Sequence, residues 1–177
     1  MAPQVQSVPG SHIQGWMSEG ELQWLFDTAA RMQSVVEIGC WKGRSTFALC
    51  ASGCPIVYAV DHFLGSDEAE HKAIIEAEHP IFDQYLDNTR QFLNLRTIPM
   101  CSRAAAEALP SVDMVFIDGG HDYASVAEDL RLWEPKAKGL LCGHDFYFPA
   151  VQRALLERCG GRKVEVYQTI WSMEVKQ

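Results

Sequence analysis

Two apolar runs in the second half of the chain each end in a carboxylate with a histidine close by. Val115-Phe116-Ile117 leads into Asp118-Gly119-Gly120-His121, and Leu140-Leu141-Cys142-Gly143 leads into His144-Asp145. Carboxylate oxygens delivered by adjacent strand tips are hard ligands of the kind Mg²⁺ takes, few in number and leaving room for water. His144 beside Asp145 would soften such a site toward Mn²⁺, Fe²⁺ or Zn²⁺. His121 follows Asp118 closely enough to overhang the same pocket without ligating. An imidazole with an ordinary pKa of about 6.5 suits a general base at neutral pH. Either histidine could instead tie a glycine turn through backbone hydrogen bonds; two Asp–His pairs at neighbouring strand ends favour chemistry.

A second constellation lies upstream. The run Ser34–Ile38 carries Glu37 and enters a loop with glycines at 39 and 43, and the next apolar run, Ile56–Val60, ends at Asp61. A strand, a glycine loop, a helix and an acid-tipped second strand form a site for an adenosine-bearing cofactor, with Asp61 accepting hydrogen bonds from the ribose hydroxyls. His62 or Phe63 is a candidate for the adenine face. Ser102 and Arg103, after the third strand, are candidates for its edge, although Ser102 also reads as a helix cap. Glu37 has three candidate roles: supporting the glycine loop, meeting the cofactor's amino group, or accepting from backbone amides. The spacing bears on which cofactor. A dinucleotide fold wants Gly-x-Gly-x-x-Gly, but here position 41 is Trp and position 44 is Arg. No Gly-Lys-Ser/Thr sequence is present to cradle a triphosphate.

The elements that must position these residues follow from periodicity. Ser18-x-x-Glu21 is a capping box, and Leu22, Leu25, Phe26 and Ala29 keep helical spacing to about Met32. Strands are expected at 34–38, 56–60, 96–100, 113–117 and 139–143, with helices at 44–51 and 103–108. A further helix carries Val126, Leu130 and Trp133 and stops at Pro135, and another opens at Pro149 and closes at Gly160-Gly161. Residues 64–95 read as a helical elaboration. One helix starts near Asp67, Glu68 and Glu70 and breaks at Pro80; a second, amphipathic one carries Phe82, Tyr85, Leu86, Phe92 and Leu93. Runs at 163–167 and 169–175 form an antiparallel pair. The expected fold is therefore α/β and Rossmann-like: a mostly parallel seven-stranded sheet, helices on both faces, and an antiparallel last strand. Residues 1–177 make a single domain, with 1–33 as its N-terminal segment and helix. The candidate residues all lie at the strands' carboxyl ends, where such sheets bind ligands.

Composition narrows the function classes. A net charge of −8 argues against a nucleic-acid surface. The cluster Arg153, Arg158, Arg162 and Lys163 reads as a solvated helix end. No run approaches the ~18 apolar residues of a membrane span, and the start lacks a signal-peptide pattern. The six cysteines lack paired Cys-x-x-Cys spacing and several sit in apolar runs, so reduced thiols in a cytoplasmic protein are expected.

Four motifs together resemble a known group: Glu37-Ile-Gly39-x-x-x-Gly43, Asp61-His-Phe-Leu-Gly65, Phe-Ile-Asp118-Gly-Gly-His121-Asp-Tyr123 with Asp129-Leu130, and Gly143-His144-Asp145-Phe146. Over about residues 34–160 the chain is similar to class I S-adenosylmethionine-dependent methyltransferases with the Ile-Asp-Gly-x-His-x-Tyr signature. That group is similar to metal-dependent O-methyltransferases, including sugar-hydroxyl methylases and, more distantly, catechol O-methyltransferase. The resemblance implies that Asp118 and Asp145 ligate Mg²⁺ and places His121 where those relatives carry a His or Lys base. The chain departs from it at His144, where metal-dependent members have a carboxylate.

The expected reaction is metal-assisted methyl transfer from S-adenosylmethionine to a small-molecule hydroxyl, a divalent ion, Mg²⁺ foremost, lowering the pKa of the acceptor oxygen. The expected cofactor contacts are Glu37, Gly39, Gly43, Asp61, His62, Phe63, Ser102, Arg103 and Asp118; the metal set is Asp118, His144 and Asp145; the base is His121. Alternatives are an NAD(P)-dependent oxidoreductase, which shares the fold and the strand-end acid, and a non-catalytic S-adenosylmethionine-binding module. Candidate acceptor contacts are His12, Trp16 and Phe146-Tyr147-Phe148, and a second copy of the chain in a homodimer is a candidate to complete the pocket.

Overall fold

The computed structural model describes residues 7–65, 72–75 and 80–175. Among these, the strands are β1 (Ser34–Ile38), β2 (Ile56–Val60), β3 (Leu95–Ile98), β4 (Val112–Ile117), β5 (Ala137–Gly143), β6 (Glu165–Tyr167) and β7 (Ile170–Glu174). The helices are α1 (Glu19–Ala29), α2 (Arg44–Ala51), α3 (Ile81–Thr89), α4 (Ser102–Ala108), α5 (Tyr123–Trp133) and α6 (Pro149–Cys159), and a 3₁₀ turn covers Glu134–Lys136. One seven-stranded sheet has the order β3-β2-β1-β4-β5-β7-β6. The pairings among β1 to β5 are parallel, and β7 runs antiparallel to both β5 and β6. Sheet and direction match the sequence expectation.

Side-chain alternation explains the two layers. In β1, Val35 faces one cluster with Leu22, Leu25, Ala48 and Leu49 of α1 and α2, and with Val57, Met114 and Phe116. Val36 and Ile38 face the other, with Ala105, Val126, Leu130, Trp133, Val151 and Leu155 of α4, α5 and α6. β1 is thus buried on both faces, as a central parallel strand must be. Trp133 and Trp171 are among the largest fully buried side chains, and truncating either to Ala should cost about 3–5 kcal/mol.

Local chemistry sets the ends. The Ser18 capping box is formed, Glu21 N donating to Ser18 Oγ and Ser18 N to Glu21 Oε2. Asp122 caps α5 by accepting from the amides of Ala124 and Ser125. Pro149 opens α6, and Gly160 closes it in the left-handed conformation. Several boundaries differ from the periodicity reading. α1 stops at Ala29, and β3 starts at Leu95 and ends before Pro99. α3 ends at Thr89, so Phe92 and Leu93 fall outside it; Phe92 packs on Phe47, while Leu93 is almost fully exposed. The helix start expected at Asp67, Glu68 and Glu70 lies outside the described residues.

The chain leaves β1 for β2 and β3 on one side, then crosses to β4 and β5 on the other. The carboxyl ends of β1 and β4 therefore flank the reversal of strand order, where such sheets open a crevice.

Candidate active site

A cavity of about 590 Å³ opens at those carboxyl ends. Its wall is built from the β1–α2 loop, the tips of β2 to β5, the start of α5 and the N-terminal segment before α1. Of the residues expected to hold cofactor, metal or proton, Gly39, Asp61, His62, Ser102, Arg103, Asp118, His121, His144 and Asp145 line it. Glu37, Gly43 and Phe63 do not.

The glycine loop is shaped by sterics. Gly39 has φ +85, and a Cβ there would collide with the Asp118 carbonyl, so the loop can press against the end of β4 only with glycine. Gly43, φ +87, stands at the N-cap of α2, and its missing Cβ leaves room for Thr89 and Tyr85. Gly43 thus serves the packing of α2 on α3. Asp61 holds the loop from the next strand: Oδ2 accepts from the amides of Cys40 and Trp41 at 2.8 and 3.0 Å, and Oδ1 from Phe63 N at 2.7 Å. A carboxylate oxygen has more than one acceptor site, so Asp61 can still meet a ligand hydroxyl from the cavity it borders. Glu37 lies beneath the loop, wholly buried, accepting from Thr46 Oγ1. Burial pushes its pKa up to about 7.

Phe63 does not line the cavity. Its backbone is left-handed, φ +58, and its ring packs on Phe82 and Tyr85 with centroids 4.7 and 4.8 Å away. His62 borders the cavity, and its Nδ1 accepts from Leu64 N. Ser102 is also committed elsewhere. It begins α4, accepts from Trp133 Nε1 at 2.8 Å and donates to Asp129 Oδ1. Arg103 pairs with Glu128.

At the other end, His121 Nε2 lies 2.8 Å from Asp145 Oδ2, and the His121 ring stacks at a tilt beside Phe148. Asp145 has φ +58, in the left-handed region that Asp tolerates better than most residues. His144 is buried between two sets of acids. Nδ1 is 3.5 Å from Asp118 and 3.2 Å from Asp145; Nε2 is 2.7 Å from Thr169 Oγ1 and 3.4 Å from Glu21. Burial alone would lower its pKa, but Asp118, Asp145 and Glu21 together raise it to about 11. His144 is therefore an imidazolium at neutral pH. Burial would raise the Asp145 pKa, but hydrogen bonds from His121 and His144 outweigh it and hold the carboxyl below its ordinary range. Burial raises that of Asp118. Glu21, despite burial, is held down at about 2 by His144, Thr169 and Ser18.

Among the described residues, Asp118, His121 and Asp145 form the group that could hold a metal ion, one ligand atom from each lying within 4.8 Å of the others. The set expected from sequence contained His144 instead. In the fold that ring serves as the cationic partner of the two aspartates, with Glu21 behind it.

Arg44 supplies a part that sequence reasoning missed. It opens α2, but its guanidinium reaches back to the carbonyls of Ser11, Ile13 and Met17. That fastens Gly15, Trp16 and Met17 against the cavity, with Trp16 5.5 Å from Trp41 between ring centroids. His12 packs edge-on against Phe47 instead. Glu21 and Thr169 were also missed; they meet across 148 residues, and no local pattern announces such a contact.

The sequence pattern of a family described as "Methyltransferase domain" matches residues 36–146, more than half of the chain. The chain belongs to that methyltransferase family, and its fold is that of the class I S-adenosylmethionine-dependent enzymes. Solved structures share the fold at low identity. A candidate caffeoyl-CoA O-methyltransferase of Staphylococcus aureus superposes with TM-score 0.68 at 14% identity, covering 92% of this chain and 86% of that one. The S-adenosylhomocysteine-bound methyltransferase PaMTH1 of Podospora anserina gives 0.65 at 13%, covering 92% and 80%. Among curated proteins, the uncharacterized protein y4gI of Sinorhizobium fredii is 28% identical over 134 residues. That match takes in 68% of this chain but 14% of y4gI, so the chain spans about one-seventh of that relative's length. Among the described residues no helix is long and apolar enough to cross a membrane, and all six cysteines are free thiols.

Proposed function

We propose that the protein transfers the methyl group of S-adenosylmethionine to a hydroxyl of a small molecule, with His121 as general base. The observation that carries this reading is that one cavity joins the Asp61-held glycine loop to the Asp145–His121 pair. The acceptor oxygen attacks the methyl carbon, and the C–S bond breaks with its electron pair going to sulfur, leaving S-adenosylhomocysteine. The sulfonium supplies the electrophile, and the protein's part is alignment and removal of the hydroxyl proton. With Nε2–H donating to Asp145, Nδ1 of His121 is the nitrogen that takes the proton, and the ionised Asp145 stabilises the imidazolium formed. Trp16, Trp41 and Phe148 give the acceptor end apolar walls. The name of the Staphylococcus aureus neighbour supports oxygen as the methylated atom, and the net charge of −8 supports a small molecule rather than nucleic acid.

A second reading has one observation in its favour. Asp118, Asp145 and His121 fit a divalent cation by donor type and spacing. Such an ion would lower the pKa of an acceptor hydroxyl bound to it. His121 would then be a ligand rather than the base, and His144 could join only after losing its proton. The test is transfer of labelled methyl from S-adenosylmethionine to a panel of phenols, catechols and sugars, with EDTA and with added Mg²⁺ or Mn²⁺. Labelled ether in EDTA supports the His121 base; activity that vanishes in EDTA and returns with metal supports the cation. Hydride exchange with NAD(P), or cofactor binding with no transfer to any acceptor, would favour the oxidoreductase or the binding module.

A further inference from the structure

We infer that the methyl acceptor is a hydroxyl compound bearing a protonated amine, and that the Trp16–Trp41 pair in the cavity wall receives that cation. This rests on the S-adenosylmethionine reading above. The first observation is the sign of the wall. Asp61, Asp118, Glu128, Asp129 and Asp145 line the cavity, whereas its guanidiniums are those of Arg44 and Arg103. Both are engaged: Arg44 donates to the carbonyls of Ser11, Ile13 and Met17, and Arg103 pairs with Glu128. The His144 imidazolium lies between Asp118 and Asp145 on one side and Glu21 on the other. S-adenosylmethionine is a monocation overall, and carboxylates still outnumber cations once it is bound. A crevice lined by one sign of charge concentrates the opposite sign. An acceptor carrying phosphate or carboxylate would meet like charge there, and an ammonium would not.

The second observation is the aromatic pair. Trp41 has φ +48, a left-handed conformation that a bulky residue adopts only at a cost. There its ring stands 5.5 Å from that of Trp16 between centroids, with the planes at 52°. Trp16 is half exposed, yet the chain on either side of it is tied to Arg44. A Cβ at Gly15 would stand 2.8 Å from Arg44 Cδ, so glycine lets that clasp close. The two indoles are thereby held in the wall of an acidic cavity, and indole is the best aromatic partner for an ammonium. Phe148, also half exposed, adds a ring beside His121.

The experiment uses hydroxyl compounds matched in shape and differing in charge: tyramine, ethylphenol and phloretate; dopamine, ethylcatechol and dihydrocaffeate; glucosamine, glucose and glucuronate. Each is titrated by calorimetry into the full chain saturated with S-adenosylhomocysteine, in EDTA so that no metal ion masks the acids. In a series that binds, the cation should bind about tenfold more tightly than its neutral analogue, the scale of one desolvated cation–π contact. The anion should bind more weakly than either. Trp16→Ala should bring the cation-to-neutral ratio toward one, and Trp16→Phe should keep part of it. General destabilisation would lower both affinities together and leave their ratio. Equal affinities, a preferred anion, or a ratio unchanged in Trp16→Ala overturns the inference while leaving the methyl-donor reading intact. Failure of all three series to bind a chain that takes S-adenosylhomocysteine does the same. Should Trp16→Ala not fold, the wild-type order and Trp16→Phe decide. No binding of S-adenosylhomocysteine overturns the methyl-donor reading, and the inference with it.

Discussion

The two ends of the cavity hold their carboxylates in different ways. At the end proposed for adenosine, Asp61 accepts from three backbone amides. At the end proposed for the acceptor, Asp118 and Asp145 face the imidazoles of His121 and His144, and Glu21 closes the far side. Amides neither gain nor lose charge near neutral pH, so the partners of Asp61 form a fixed template. The second end is a set of ionisable groups that balance one another's charge. On the proposed function, binding and proton transfer are separated along one crevice, and substitutions at the two ends should separate as well.

The largest effect is expected at the acceptor end. His121→Ala should lower kcat by about 10²–10⁴-fold while leaving affinity for S-adenosylhomocysteine unchanged; a matching loss in both would erase the distinction between the ends. Asp61→Ala should do the reverse. It strands three amides at about 1–3 kcal/mol for each group left buried and unpaired, and calorimetry should show S-adenosylhomocysteine binding weakened by roughly 100-fold or more. Glu21→Gln probes what lies behind the acceptor end. It takes one acidic partner from the buried His144 imidazolium, and a charged hydrogen bond of this kind is worth about 1.5–3 kcal/mol. Thermal unfolding should show a lowered Tm; an unchanged Tm would mean that Asp118 and Asp145 hold His144 without help.

The smallest effect concerns the buried acid under the glycine loop. The pKa of Glu37 rises from 4.5 to about 7 on folding through burial. A raised folded pKa contributes stability that is complete below about 4.5 and is lost as pH rises through about 7. Glu37→Gln should therefore flatten the pH dependence of Tm across that window, and it should compare best with wild type above pH 7. An unaltered slope would mean that Glu37 is ionised at neutral pH.

What could be read from the sequence divides along physical lines. The seven strands, their direction and the strand-end position of Asp61, Asp118 and Asp145 follow from local patterns: alternation, glycine loops, a proline and a capping box. The orientation of particular side chains does not. Phe63 adjoins Asp61 in sequence, yet a left-handed backbone sends its ring to Phe82 and Tyr85. Ser102 sits where an adenine contact was expected, but Trp133 and Asp129 claim its hydroxyl. The capping box made Glu21 legible as a helix start; its second oxygen, which serves Thr169 and His144, depends on the return of β7. Arg44 could be seen as a helix residue but not as the clasp of the N-terminal segment, because its partners are backbone carbonyls that no side-chain pattern marks.

On the proposed function, the crevice takes S-adenosylmethionine through the loop held by Asp61. The most direct measurement is isothermal titration of the full chain with S-adenosylhomocysteine and, in parallel, with NAD. Saturable one-to-one binding of S-adenosylhomocysteine, strongly weakened in Asp61→Ala, and no heat of binding with NAD are expected. Saturable NAD binding without S-adenosylhomocysteine binding, or S-adenosylhomocysteine affinity indifferent to Asp61, would contradict it.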